Sequence, residues 1–380
     1  MSARQTAEPA GGPAIGAAGR YPGIVCRVQD SLTPEEAERF DGFTSAPPHA
    51  SYMQATSWVE LVPVTRLQRF VFLTCEEDGR LTVAGLARLT RLFPGRYLAR
   101  FQRGPVFHEI EPFKRALPHI LRALRDAGVC TLLMNPRWEE DGALEVEGVL
   151  ASAGMRKLPS ADQYAHSTTG LVDMDKPEEE ILAGFQDRCR RDIKRAVKKG
   201  LVIRPAASEK EADTIRDRRR ELATLRNIDE LGQPDLVDQW RSFQGREDGV
   251  LLLAEAEGQI IGGLAVVREG DRAIIRGGGA LPLLPKLPRT HNLIWESMRM
   301  LRADGCRTYD LAGMPDDDEV PEDEKRRQMF KLAFNPRIVK LVPIHCAALR
   351  PLEHAVLFRA RQWYRRSSLR RRLGPLLSRR

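Results

Sequence analysis

Two stretches of the sequence concentrate positive charge in a way that suits phosphate groups. Between positions 187 and 199, seven Lys and Arg residues stand against two aspartates. On a helix, four of these cations would share one face, spaced three or four residues apart: Arg188, Arg191, Lys194 and Lys198. Nine arginines and no acid follow between Arg359 and Arg380. Such localised charge indicates a nucleic-acid or anionic-lipid partner, or else a solvated helix face and a solubilising tail.

The rest of the chain is close to neutral. The formal charge of +8 comes from 60 Lys+Arg and 52 Asp+Glu, and the arginine-rich tail accounts for it. The 380 residues are 42% hydrophobic, which is enough for real cores and suits two domains. This composition excludes wholesale disorder, and no uncharged apolar run is long enough to span a bilayer. The tail mixes arginines with aromatic residues and leucines, as in an amphipathic helix on a protein, RNA or membrane surface.

The six cysteines and seven histidines form no motif for metal binding or redox chemistry. No Cys-x-x-Cys pair occurs, and the cysteine spacings match no zinc or disulfide framework. We therefore expect reduced thiols, no protein-bound metal and a cytoplasmic protein.

The chain repeats one structural plan twice. An acidic turn with glycine separates two apolar strands at 76–87 and again at 255–265, which predicts two hairpins. Further on, a spaced motif that begins at Arg122 and includes Gly128 recurs 177 positions later, from Arg299 to Thr308. A nearly constant offset in two separate motifs indicates an internal duplication.

Each copy has the same predicted order of elements. A helix with a capping-box start, at Thr33 or Ser208, precedes the hairpin. An amphipathic helix that ends at a glycine and a short strand follow. Helix, antiparallel hairpin, helix and strand is the order of an acetyltransferase-like domain. The predicted fold class is therefore α/β (α+β), with two GNAT-like domains in tandem.

The predicted domain boundaries follow from this order. Residues 1–20 are expected to be a flexible leader, because they are rich in Ala, Gly and Pro. The first GNAT-like domain covers 21–165 and is completed by 346–380, and the second covers 166–345. Residues 359–380 form the basic helical tail.

A coenzyme A site is disfavoured by the turns that precede the two amphipathic helices. Acyl-CoA transferases of this fold hold the pyrophosphate on a glycine-containing turn at a helix N-terminus. Neither 107–112 nor 287–292 contains glycine. The run Gly277-Gly278-Gly279 ends a strand instead, which predicts a bulge or a close backbone approach.

Six segments between about residue 50 and residue 343 carry a family resemblance. They are Gln54-Ala55-Thr56-Ser57-Trp58, Leu133-Met134-Asn135-Pro136, the basic segment 188–200, Trp295, Tyr309-Asp310-Leu311-Ala312-Gly313 and Met329-Phe330-Lys331-Leu332-Ala333-Phe334. Together they resemble the FemABX peptidyltransferases, which use aminoacyl-tRNA to add amino acids to peptidoglycan precursors. The last two segments and their spacing are the most specific. That family has two acetyltransferase-like domains, in agreement with the duplication.

The resemblance implies how the transfer would be catalysed. An aminoacyl ester on tRNA is already activated, so the enzyme must mainly align an amine with it and stabilise the oxyanion. The family lysine that matches Lys331 stabilises the tetrahedral intermediate, which makes Lys331 the predicted catalytic residue. The basic face of the 188–200 segment would bind tRNA phosphates. Aminoacyl-tRNA is then a co-substrate, and no cofactor is expected.

The acceptor side departs from the family pattern. We assign to the acceptor groove Gln54, Trp58, Asn135, Arg276, Arg289, Asn292 and Asp310, with Arg289 and Asn292 as anion contacts at a helix start. Asn135 stands where the family has an aspartate, so it can form hydrogen bonds but cannot act as a base. Arg276 replaces a tyrosine. The segment after Trp58 lacks a lysine, and 231–234 lacks an arginine, that some members use to contact the muropeptide.

The predicted function is amide-bond formation between an amino acid carried on tRNA and an amine acceptor, with a peptidoglycan precursor as the favoured acceptor. The enzyme would work in the cytoplasm, at the inner face of the membrane if the arginine-rich tail binds anionic lipid. Three alternatives stay open: the same transfer onto a small-molecule or peptide natural product, a CoA-dependent N-acyltransferase, and a non-catalytic RNA- or membrane-binding protein.

Overall fold

The computed structural model describes most of the chain. It covers residues 17–21, 23–159, 163, 165–225, 235–244, 249–280, 283–284, 286–314 and 329–356. Most of the predicted leader, the 231–234 segment and the arginine-rich tail lie outside the described residues, and their predictions stay untested.

The first half of the described chain forms one sheet and the helices that cover it. Its elements are β1 (Ala17–Tyr21), β2 (Ile24–Gln29), α1 (Pro34–Thr44), a 3-10 turn (Tyr52–Gln54), α2 (Trp58–Leu61), β3 (Gln68–Glu77), β4 (Arg80–Phe93), β5 (Arg96–Phe101), α3 (Ile110–Asp126), β6 (Val129–Met134), α4 (Glu140–Ser152) and β7 (Arg156–Lys157). Strand β1 begins within the predicted leader and pairs with β2 from Ala17 onward.

The second half forms another sheet on the same plan. Its elements are β8 (Thr168–Asp173), α5 (Glu178–Gly184), α6 (Asp187–Lys198), β9 (Val202–Pro205), α7 (Glu209–Leu225), α8 (Leu236–Phe243), β10 (Gly249–Ala256), β11 (Gln259–Glu269), β12 (Arg272–Ala280), α9 (Thr290–Ala303), β13 (Thr308–Gly313), a 3-10 segment (Met329–Phe334) and β14 (Arg337–Lys340). A last strand, β15 (His345–Ala348), returns to the first sheet.

The predicted duplication is confirmed in the matching parts of both sheets. The hairpins β3–β4 and β10–β11 turn through Asp78-Gly79 and Glu257-Gly258, and all four of these residues have positive φ, as a type I′ turn requires. The strand after each hairpin is parallel to the strand that follows the amphipathic helix, in the pairs β5–β6 and β12–β13. Both helices end before a glycine with positive φ, Gly128 or Gly305.

The chain returns from the second sheet to the first at its end. The described strand orders are β1-β2-β3-β4-β5-β6-β15-β7 and β14-β8-β13-β12-β11-β10-β9. Strand β8 pairs with β13 and β14 in the second sheet, whereas β15 pairs with β6 and β7 of the first. The first sheet is therefore completed by a strand that follows the second domain in the chain.

Each sheet has its own core, built on an amphipathic helix. Helix α3 buries Phe113, Leu117, Ile120 and Leu124 against the first sheet, at the three-and-four spacing of one helix face. Helix α9 buries a corresponding stripe against the second sheet. The cores hold the ends of β5, β12 and β13 in fixed positions where the two domains meet.

One sequence prediction about the cysteines is wrong. Cys26 and Cys75 form a disulfide between β2 and β3. They lie directly opposite each other in the antiparallel register, with Cα atoms 4.1 Å apart. The spacing of 49 residues carries no sign of this pairing, because only the strand register brings the two thiols together. Cys130, Cys189 and Cys306 are free thiols.

A partly buried histidine predicts how stability depends on pH. The His49 ring stacks on Trp138 at 3.7 Å between centroids, and its Nδ1–H donates to the carbonyl of Arg137 at 3.2 Å. Burial lowers the pKa of His49 from 6.5 to about 4. The unfolded chain therefore takes up this proton first, so the contribution to stability is complete above pH 6.5 and falls as the pH drops toward 4.

We expect the His49→Phe variant, which keeps a flat ring, to lose less stability than the wild type on acidification. Urea unfolding at several pH values between 7 and 4.5 measures this. Equal losses for the two proteins would show that His49 does not contribute to the acid sensitivity.

Candidate functional site

Two adjoining cavities lie where the domains meet. The larger has a volume of about 730 Å³ and is lined by parts of α1, α2, α8 and β11. The smaller, about 390 Å³, is lined by residues at or near the ends of β5, β8, β12 and β13. Ser51, Tyr52 and Arg276 line both cavities, so they form the wall between them. Both volumes suit a small organic ligand.

A buried ion network joins the domains behind the smaller cavity. The Arg137 guanidinium of the first domain pairs with the carboxylates of Glu269 and Asp310 in the second, at 3.1 Å to Asp310. Arg272 of the second domain pairs with Glu139 of the first. Burial lowers the pKa of Arg137 to about 10. Arginine remains charged at neutral pH, so the network holds true ion pairs.

Asp310 lines the smaller cavity, but its oxygens are already engaged. It accepts hydrogen bonds from the Thr169 hydroxyl and from the Ala312 amide, the latter at 2.7 Å. Its ion pair with Arg137 occupies the other oxygen. Asp310 therefore fixes a local hydrogen-bond network.

Gln54 does not line the groove, contrary to the sequence prediction. Its side chain is fully buried within the first domain. The amide oxygen accepts from the Leu86 amide at 2.8 Å, and the amide nitrogen donates to the Gln102 carbonyl at 2.8 Å. A side chain at Gly104 would overlap with Gln54. Gln54 therefore anchors the chain just before the cavity wall at Arg103.

Asn135 has a related positioning role. Its Oδ1 accepts from the Arg103 amide at 3.1 Å, and Arg103 has a φ of 55°, which is unusual for a residue with a side chain. The Arg103 guanidinium in turn donates to the His166 carbonyl at 2.6 Å. Asn135 is fully buried, and its Nδ2 has no hydrogen-bond partner within the described structure. It helps to hold the wall that Arg103 and His166 form.

Arg276 reaches the wall between the cavities because of a β-bulge. Gly277 pairs with Ala265 and Ile275 with Val266, so Arg276 is the extra residue of β12. Its guanidinium lies 4.6 Å from the centroid of the Tyr52 ring and 5.2 Å from that of the Trp58 ring. Trp58 is buried in the first domain and also lines the larger cavity. The predictions that Trp58 and Arg276 lie at a groove agree with this geometry.

The glycine run that begins at Gly277 lies at a bulge and at a close backbone approach, the two features that the sequence predicted. A Cβ at Gly277 would lie 2.8 Å from Nη1 of Arg219, and one at Gly278 would overlap with the Gly263 carbonyl. Glycine therefore permits both the bulge and the passage of Arg219 across β12 toward the smaller cavity.

Lys331 contacts a residue that lines the smaller cavity. The ammonium donates to the Gly313 carbonyl at 2.6 Å, and Gly313 is a lining residue. A side chain at Gly313 would overlap with the His166 ring, so His166 lies directly against this residue. Lys331 is partly buried and is not itself one of the described lining residues.

The predicted basic helix is α6, and its start is attached to the Lys331 segment. Gln186, which precedes the helix, donates its amide to the Ala333 carbonyl at 2.9 Å and its side-chain nitrogen to Leu332 at 3.1 Å. Arg190 and Arg195 pair with Asp187 and Asp192. The remaining basic face is exposed and has no acidic partner in the described part of the chain; it consists of Arg188, Arg191, Lys194 and Lys198.

Two predicted groove residues lie elsewhere. Arg289 donates to the Leu283 and Leu284 carbonyls at 2.6 and 2.9 Å, and Asn292 donates to the Ile193 carbonyl of α6 at 3.2 Å. The His291 ring is 3.3 Å from Asp192 of the same helix. Helix α6 thus covers the first turn of α9. Both side chains are buried and bound to backbone carbonyls here, and the assignment of anion contacts at this helix start stays a prediction.

Sequence reasoning missed most of the residues that line the smaller cavity, and four of these are Tyr52, Arg103, His166 and Arg219. Three of these come from connecting segments or from α7, outside the elements that carry the duplication. Only Tyr52 adjoins a recognised motif, the one that begins at Gln54. Burial raises the pKa of Tyr52 to about 12, so its hydroxyl stays protonated at neutral pH. Spacing alone gave no signal for the other three.

Two further kinds of site are absent from the described ranges. No three or more His, Cys, Asp or Glu side chains come together there as possible metal ligands. No described helix combines the length and the apolar character that crossing a membrane requires.

Comparison with known proteins places this architecture among the acetyltransferase folds. Residues 184–326 match the family model of an acetyltransferase (GNAT) domain. A crystal structure of FemX superposes with a TM-score of 0.71 at 14% identity, covering 86% of this chain and 98% of that one. L-PGS from Bacillus licheniformis gives a TM-score of 0.51 at 14% identity, covering 88% and 97%. No curated protein matches by sequence.

A protein of unknown function from Bacteroides thetaiotaomicron is also similar, with a TM-score of 0.54 at 11% identity and coverage of 85% of this chain and 99% of that one. These similarities extend over both domains. The chain thus has two GNAT-like domains in tandem, and the resemblance to the FemABX proteins is confirmed in the fold.

Proposed function

We propose that the protein is an acyltransferase that moves an aminoacyl group from tRNA to an amine acceptor, with a peptidoglycan precursor as the favoured acceptor. One observation carries the proposal: Gln186 joins the start of the basic helix to the Lys331 segment, which contacts a cavity wall between the domains. A tRNA backbone held on α6 would therefore lie beside the proposed reaction centre. The similarity in fold to FemX and L-PGS supports an acyltransferase of this kind.

The reaction needs few catalytic groups. The amine nitrogen attacks the ester carbonyl, the C–N bond forms, the C–O bond to the ribose breaks, and the amine proton leaves through water or the ribose hydroxyl. Lys331 would stabilise the oxyanion with its fixed positive charge. Asn135 cannot take the proton, and its hydrogen bond to Arg103 gives it a positioning role instead.

A thioester donor is disfavoured by both helix starts. Helix α6 covers the first turn of α9. The start of α3 carries the acidic residues Glu109 and Glu111, which would repel a pyrophosphate. Neither copy therefore offers the anion site that coenzyme A needs in this fold.

A second acceptor class is a small-molecule or peptide natural product. Its support is the change at acceptor-side positions: Arg276 stands at the cavity wall in place of the family tyrosine, and Asn135 stands in place of the aspartate.

Incubation of the full chain with a complete set of labelled aminoacyl-tRNAs tests the proposal. Peptidoglycan precursors, free amines and short peptides would be supplied as acceptors, and products would be identified by mass. We expect a ribonuclease-sensitive amide product. Turnover of acetyl-CoA that persists after ribonuclease treatment, without aminoacyl transfer, would overturn the proposal.

Reversing charge on α6 should weaken tRNA binding and flatten its salt dependence. In the variant Arg191→Glu/Lys194→Glu, two exposed cations are lost without breaking an ion pair in the described structure. Each lost phosphate contact should reduce the slope of log K against log salt by about 0.7–0.9. Binding of labelled tRNA at several salt concentrations measures this slope.

The matched control is Arg66→Glu/Arg91→Glu on the first domain. Both arginines are exposed, and neither has an acidic partner among the described residues. This variant changes the net charge by the same amount, so it should leave the slope nearly unchanged. Equal slopes for the two double variants would show that α6 has no special role in docking.

A further inference from the structure

We propose that Arg276 is the anion-binding residue of the acceptor site, and that the acceptor amine therefore carries a carboxylate or phosphate group. This inference rests on the proposed function, because it names the chemical class of that enzyme's second substrate. It does not depend on which amino acid the tRNA delivers.

The first observation is that Arg276 has no counter-charge among the described residues. No carboxylate within the described chain pairs with its guanidinium, which lies close to two aromatic rings. Two other arginines at the domain interface are compensated: Arg137 and Arg272 bind the three carboxylates of Glu269, Asp310 and Glu139. A partly buried arginine without an acid partner is suited to an anion from outside the chain.

The second observation is that the guanidinium is held in place. The Tyr52 and Trp58 rings stand nearly perpendicular to each other at 78°, with centroids 5.3 Å apart, and the Arg276 guanidinium lies within 6 Å of both. The bulge fixes the backbone that carries it. An arginine positioned before its ligand arrives loses little freedom on binding, which favours bidentate contact with a carboxylate or phosphate.

The surrounding wall is also rich in arginine. The smaller cavity is lined by four arginines and one carboxylate among the described residues, namely Arg103, Arg137, Arg219, Arg276 and Asp310. Arg137 and Asp310 offset each other in the ion network. A guanidinium at this wall attracts an acidic substrate and lowers the pKa of an amine bound beside it. A lowered amine pKa increases the neutral, nucleophilic fraction.

Arg276 belongs to the acceptor side by its position. The larger cavity that it faces is lined by parts of α1, α2, α8 and β11, whereas the basic face proposed for tRNA lies on α6. Its volume of about 730 Å³ has room for a molecule larger than a single amino acid. An acceptor anchored at Arg276 can extend into this cavity and present its amine to the smaller one.

The test is a binding measurement without tRNA. Isothermal titration of the full chain at low ionic strength with pyrophosphate and with succinate separates a phosphate from a carboxylate ligand. We expect one of the two to bind. The variant Arg276→Gln should weaken that binding about tenfold or more, and Arg276→Lys should give an intermediate loss, since lysine keeps the charge but lacks the planar fork.

Arg268→Gln is the matched control. Arg268 lines the same larger cavity, but its Nε donates to the Gly270 carbonyl. It is not the arginine that lies against the Tyr52 and Trp58 rings. We expect this variant to weaken binding less than threefold. Equal losses of affinity in the two Gln variants would show that only the general positive charge matters, which would overturn the inference. Unchanged affinity in Arg276→Gln would overturn it as well.

An activity measurement keeps this inference separate from the proposed function. With an active acceptor and the methyl ester of its acidic group, the wild type should prefer the free acid, and Arg276→Gln should lose that preference while still binding tRNA. If wild-type transfer occurs without any such preference, only the inference fails. If no aminoacyl transfer occurs with any acceptor, the proposed function fails, whatever the binding data show.

Discussion

Replacement of Lys331 by methionine is expected to lower the rate of aminoacyl transfer about 100- to 1,000-fold, the usual effect of removing one oxyanion-stabilising donor. Methionine has similar length and no charge, so it removes the ammonium with little change in packing. The loss should fall on kcat rather than on KM, because the oxyanion exists only in the transition state. Single-turnover transfer from labelled aminoacyl-tRNA measures it.

Lys340→Met is the matched control for this prediction. Lys340 is an exposed lysine on β14, close in sequence to the Lys331 segment, and its loss should leave the rate unchanged. The Lys331→Met variant also loses the bond to the Gly313 carbonyl, so its thermal midpoint must be compared with that of the wild type. A well-folded variant that transfers at the wild-type rate would remove Lys331 from the mechanism.

The duplicated architecture could be predicted from sequence because its signals are local. Turn residues with positive φ, helix stops at Gly128 and Gly305 and apolar spacing on α3 all act over a few neighbouring positions. The same is true of the basic face of α6. The register of pairings between distant segments, such as β8 with β13 and β15 with β6, could not be predicted in this way, since it leaves no local pattern.

The candidate site was predicted less well, because it depends on how distant segments pack. Gln54 and Trp58 are four residues apart, yet one is buried in backbone contacts and the other faces a cavity. Arg289 and Asn292 were assigned by analogy with a helix start, and the analogy could not show that both side chains bind backbone carbonyls. The importance of Arg276 comes from its aromatic neighbours in the other domain, which its own surroundings in the sequence do not reveal.

Loss of Arg137 should have the largest effect on stability. The variant Arg137→Met would leave the carboxylates of Glu269 and Asp310 buried without their shared cation. Removing one partner of a buried ion pair typically costs about 3–5 kcal/mol. The exposed pair of Arg299 with Glu178 serves as a contrast, since Arg299→Ala should cost less than about 1 kcal/mol. Urea unfolding at pH 7 compares the two variants.

The mechanism behind this loss can be separated from simple packing damage. The double variant Arg137→Met/Glu269→Gln removes one stranded charge together with the cation, so it should regain part of the stability. In Arg137→Met alone, burial should raise the pKa of the unpaired carboxylates above their unfolded values. Their cost then shrinks as the pH falls. The difference in unfolding free energy between variant and wild type should therefore be smaller at pH 5 than at pH 7. A gap that is independent of pH, with no recovery in the double variant, would show that Arg137 stabilises the interface through packing and not through its charge.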